Sequence, residues 1–183
     1  ACLSQTGVVR LEFPAEIGKT PYEIVPLGPD GLLFFNAQNE MMSETSRSWY
    51  FAQYDSNLVR KWEAKVPVPD GAVYQRFQQD SNKVFLFFIN TGKVKSGSEN
   101  YQLSELELST GIINHYTGLL PEVSEVKGFL VSDGVAAVAC DMRDEQAGVF
   151  FIDFKSKTVN QYTCDFPDQN FIEEIRKDSY SDS

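Results

Sequence analysis

Apolar and polar positions alternate through most of this chain with a period of two, which predicts strands rather than helices. Three tight apolar runs stand out: Leu32–Phe35, Val84–Ile89 and Val135–Cys140. Runs of four to seven apolar residues bounded by turn residues read as strands buried on both faces. Each follows a shorter strand-like stretch and a turn: 22–27 with Gly28-Pro29-Asp30-Gly31, 73–77 with Asp80-Ser81-Asn82, and 126–131 with Ser132-Asp133-Gly134. Each is followed by a polar loop (37–47, 91–100 and 141–146) and then by a third strand at 48–54, 101–108 or 148–154.

A fourth, more polar strand closes each unit after a hairpin turn. Its second apolar residue (Val59, Ile113, Val159) precedes a proline (Pro67, Pro121, Pro167) by the same eight positions. An opening segment, Val8 to Phe13 before Pro14, has the same design. The expected organisation is therefore a single domain: an outer strand at 8–13, four-stranded units at about 20–67, 72–121 and 125–167, and the start of a fourth unit at 171–177. For 171–177 the register favours a strand. Asp168 as a cap, with Phe171, Ile172 and Ile175 on one face, would instead suit a short helix.

Two apolar central strands flanked by a polar outer one are what a propeller blade requires. The pattern resembles β-propeller repeats over nearly the whole chain, without the signature motifs of a named subfamily. The expected fold is all-β, about three and a half antiparallel blades of an incomplete propeller, with a β-sandwich or barrel as the alternative. Three and a half blades cannot close. That leaves two expectations: a piece of a longer propeller, or copies that associate through their open edges.

Composition narrows the partners. Sixteen Lys and Arg against 26 Asp and Glu give a net charge of −10, which disfavours nucleic acid or anionic lipid as a partner. No apolar run approaches the length of a membrane-spanning helix. Of three cysteines, Cys140 and Cys164 read as buried free thiols. The opening Ala1-Cys2-Leu3-Ser4-Gln5 resembles a bacterial lipoprotein beside its cleavage site, which implies lipid attachment at Cys2 and a bacterial cell-envelope or secreted location.

Candidate chemistry is sparse. The one histidine, His115, falls on a solvent-edge strand and lacks the companions of a hydrolytic triad. Asp141, Asp144 and Glu145, near Asp133, form an acidic cluster, but Met142-Arg143 interrupts any calcium-loop spacing, so it reads as a solvated hairpin tip. Glu105 and Glu107 alternate with leucines and read as an exposed strand face. Lys93 and Lys95 sit in a Gly/Ser-containing loop, and Met41 and Met42 in another. No metal or cofactor is expected. Variable loops over a rigid scaffold are where function concentrates. The expected ligand-binding rim therefore comprises Met41, Met42, Lys93, Lys95, Asp141, Asp144 and Glu145. The expected function is a non-catalytic module for protein or glycan. The alternative is part of a carbohydrate- or peptide-acting hydrolase or lyase.

Overall fold

The computed structural model describes residue 10 and residues 22–92, 99–121, 123–143 and 146–164. The expected outer strand at 8–13, the stretch at 171–177 and Cys2 lie outside the described residues, Arg10 excepted. The chain divides after Leu119 into two compact units. The described residues are all-β, with one short 3-10 turn among them at Gly28–Asp30.

The first unit holds two four-stranded antiparallel sheets. In the first, β1 (Glu23–Pro26), β2 (Leu32–Met41), β3 (Ser46–Tyr54) and β4 (Arg60–Pro69) lie side by side in chain order. In the second, β5 (Val73–Asp80), β6 (Lys83–Ile89), β7 (Tyr101–Glu107) and β8 (Ile113–Gly118) do the same. The second unit is one sheet of β9 (Val123–Ser132), β10 (Val135–Met142), β11 (Ala147–Asp153) and β12 (Val159–Cys164). The three apolar runs thus fall in three separate sheets, each second in its order. This is the propeller-like repeat of unclosed four-stranded sheets.

Where the first two sheets pack, their facing residues follow the period of two. Leu33, Phe35, Ala37, Trp49 and Phe51 of one meet Val84, Leu86, Phe88, Leu106 and Leu108 of the other in one buried core. Phe35 stacks on Phe51 at 5.3 Å and meets Phe88 edge-on at 6.1 Å, while Trp49 lies 4.9 Å from Phe88. Offset and edge-on geometries suit the ring quadrupoles, adding about 0.5–1.5 kcal/mol per pair beyond burial. Phe85, Phe87, Ile89 and Leu103, on the other face of the second sheet, are buried as well.

Several local expectations are corrected. The polar stretch 37–47 is mostly strand: β2 continues to Met41 through a register shift after Ala37, and β3 starts at Ser46, leaving a short hairpin tip. β4 does not stop at Pro67 but runs through it to Pro69. Those prolines are tolerated because β4 is the outermost strand, where a missing N–H breaks no ladder on the free side. Glu105 is not a free surface carboxylate: its side chain is 12% exposed, pairs with Lys83 and accepts a hydrogen bond from the Tyr116 hydroxyl at 3.1 Å. Cys140 is a buried free thiol, as expected; burial pushes it up to about 12.

Two glycines are dictated by geometry. Gly31, at φ 93°, closes the first turn where a Cβ would sit 2.0 Å from the Tyr54 carbonyl oxygen. Gly111, at φ 71°, lies against the indole of Trp62, 2.8 Å from where its Cβ would be. That contact lets the Trp62 N–H donate to the Leu108 carbonyl at 3.1 Å, clamping the outer strand of the first sheet to the β7–β8 turn.

A candidate polar cleft beside His115

The face that β7 and β8 turn toward the first sheet changes character along its length. Register pairs Leu106 with Ile113, Ser104 with His115 and Gln102 with Thr117, so all six share that face. Near the Trp62 clamp it is apolar. Four residues along the strand it is polar, and there the sheets leave a cleft of about 450 Å³. The cleft is lined by the hairpin tip (Ser43, Thr45, Ser46), by Pro67 and Pro69 of β4, by Glu99, and by Gln102, His115 and Thr117. That volume lies within the usual range for a small-molecule site.

The walls are held by hydrogen bonds independent of any ligand. At the hairpin tip Ser43 and Ser46 share a hydroxyl–hydroxyl bond of 2.7 Å, and the Met42 N–H donates to the Ser46 carbonyl at 2.9 Å. The Asp70 N–H donates to the Thr45 carbonyl at 2.9 Å, and Arg47 pairs with the Asp70 carboxylate at 3.1 Å. The Asn90 amide then donates to the Asp70 carbonyl at 3.2 Å. The Asn90 N–H reaches the Asn100 carbonyl at 2.7 Å, and the Asn100 N–H the Gly118 carbonyl at 2.8 Å. This chain of bonds ties the first hairpin, the connection between the sheets and the end of β8 together.

The lining is rich in acceptors. Glu99 supplies an exposed carboxylate. Gln102 is buried and donates one N–H of its amide to Ser104 at 3.0 Å, and its side-chain carbonyl oxygen is an acceptor. Pro67 and Pro69 have no N–H to give. The four hydroxyls and the imidazole can accept as well as donate. Burial, with the nearby Glu99 charge, pushes the Tyr101 hydroxyl up to about 12.

Of the described rim residues expected from sequence, Met41, Met42 and Asp141, none lines this cleft. Met41 and Met42 are exposed on the first hairpin. Asp141 is the penultimate residue of β10 and pairs with Lys127 at 3.0 Å. Lys93, Lys95, Asp144 and Glu145 lie outside the described residues. The loops expected at 37–47 and 91–100 supply Ser43, Thr45, Ser46 and Glu99, and β4 supplies Pro67 and Pro69. What sequence reasoning missed is Gln102, His115 and Thr117; the signal was their placement at alternate positions of paired strands, opposite the leucine end. Among the described residues no group of three or more His, Cys, Asp or Glu side chains could hold a metal ion, and no helix is long and apolar enough to cross a membrane.

No family model and no curated protein matches the chain. Solved structures do. Cobalt-substituted Synechocystis ACO is 12% identical with a TM-score of 0.49, over 78% of this chain and 38% of that one. A threonine-to-alanine mutant of Synechocystis ACO is 14% identical, with a TM-score of 0.48 and the same coverage. A variant ACO/RPE65 chimera in a trigonal crystal form is 15% identical at 0.48, over 77% and 37%. ACO is an apocarotenoid oxygenase. The chain spans under two fifths of the length of these structures, and likeness at this level does not place it in their family. They are oxygenases and chimeras of one, neither protein- or glycan-recognition modules nor hydrolases or lyases. This corrects both functional expectations raised from the sequence.

Proposed function

We propose that this propeller-like segment holds a small, hydrogen-bond-donating cation, an organic amine, in the cleft beside His115. The observation that carries this reading is the lining itself: a carboxylate, an amide carbonyl, four hydroxyls and an imidazole converge where two prolines offer no N–H. An ammonium group carries three donors and no acceptor, so it matches such a wall. The protein's net charge of −10 draws cations toward it. Bonds to a charged partner exceed neutral ones roughly twofold, which makes Glu99 the anchor and the hydroxyls the orienting groups.

Titration calorimetry with putrescine and spermidine tests this, with acetate and citrate as controls. The amines bind in one-to-one stoichiometry and the anions do not. Glu99→Gln weakens amine binding about tenfold, the loss of one charge-assisted bond at an exposed site. Equal binding of amines by wild type and Glu99→Gln, or binding of the anions instead, contradicts the assignment.

A further inference from the structure

The third sheet has unequal faces. Ala136, Val138, Cys140, Met142, Phe150 and Ile152 are buried. The opposite face presents Leu130, Phe151 and Tyr162 at 60%, 38% and 61% exposure, and a groove of about 340 Å³ runs beside Phe151, Asn160 and Tyr162. Register makes the meaning plain. β10 and β11 pair as β6 and β7 do, each after a two-residue turn, so Ala137, Ala139 and Val149 occupy the places of Phe85, Phe87 and Leu103. In the second sheet those three are buried to 6% or less. The same face of the same repeat is thus a packing face in one sheet and half-exposed in the other.

We propose that a second copy of this chain docks on this face, sheet against sheet. Three features select that occupant. On a protein carrying −10, charges on this face are confined to its ends, at Asp153 and at the cluster in which Lys127 bridges Glu125 and Asp141 at 2.7 and 3.0 Å, so two copies can bring its apolar centres together without burying like charges. Its relief is self-complementary: a floor of small residues (Gly128, Ala137, Ala139, Val149) lies between a Leu130 ridge and a Phe151–Tyr162 ridge, whose rings meet edge-on at 5.5 Å. A two-fold axis sets each aromatic ridge into the other copy's floor, as isologous interfaces require. The first two sheets already show this chemistry can hold sheets face to face, since aromatic rings of each interdigitate there.

Sedimentation velocity of the full chain over a concentration series is the test, with thermal unfolding confirming that each variant is folded. Wild type sediments as a concentration-dependent dimer. Phe151→Glu and, independently, Leu130→Glu raise its dissociation constant about 30-fold or more, as loss of a central interface anchor does. Met42→Glu, exposed on the first hairpin, leaves it unchanged. A wild type that stays monomeric at all concentrations overturns the proposal. So does a dimer that survives both face variants, or one lost in Met42→Glu.

Discussion

The two ends of the interface between the first and second sheets are built from the same two strands and do opposite things. At one end Leu106, Leu108 and Ile113 face Trp62, whose indole rests on Gly111 and donates to the Leu108 carbonyl. At the other, Ser104, Gln102, His115 and Thr117 continue the same face, and the sheets stand apart around a cleft. Backbone pairing is continuous from end to end, so the difference lies in side chains alone. Apolar side chains gain by closing on one another. Polar ones that can stay hydrated gain nothing from being covered without a partner. One strand pair can therefore clamp at one end and receive a ligand at the other.

The largest effect expected from breaking this contrast is at the shared core. Phe88→Ala removes a ring that touches Phe35, Trp49 and Phe51, and should cost about 3–5 kcal/mol in urea unfolding. Gly111→Ala attacks the clamp alone, through positive φ and a Cβ crowding Trp62. A loss of about 1–2 kcal/mol is expected, with Trp fluorescence reporting the displaced indole.

Alkaline pH acts more gradually. Burial raises the Cys140 thiol from 9.0 to about 12, and burial raises Tyr101 and Tyr74 from 10.0 to about 12. The unfolded chain then loses these protons first. Their contribution to stability is complete below pH 9 and falls as pH rises toward 12. Urea midpoints measured at pH 8, 9.5 and 11 should decline in that order, and a flat series contradicts the burial. His115→Ala, at the polar end, should move stability by no more than about 0.5 kcal/mol while weakening amine binding. A large stability loss there would make the cleft a structural joint.

The repeat was legible because each blade strand obeys a period of two and each apolar run ends in turn residues. Leu32–Phe35, Val84–Ile89 and Val135–Cys140 announce three central strands directly. Extents were less legible. Gln38, Asn39 and Glu40 look like loop, yet two neighbouring backbone edges can carry a hairpin arm whose side chains face water. Pro67 looks like a stop only until β4 is known to be outermost. The cleft was half legible. Its loop walls follow from hairpin positions, but Gln102 is a polar residue within the buried strand β7, and His115 and Thr117 sit in β8, whose residues suit an exposed edge. Which of them meet the first sheet depends on how two distant hairpins pack. Identity of residue types carries no trace of that packing.

Because the chain has one histidine, its imidazole signals need no assignment by mutation. Recording them by NMR while spermidine is added reads the cleft directly. Saturable shifts of the His115 resonances are predicted, together with ligand contacts to the Thr117 and Thr45 methyls. Saturable spermidine binding that leaves the imidazole signals unmoved would place the ligand elsewhere and contradict the account.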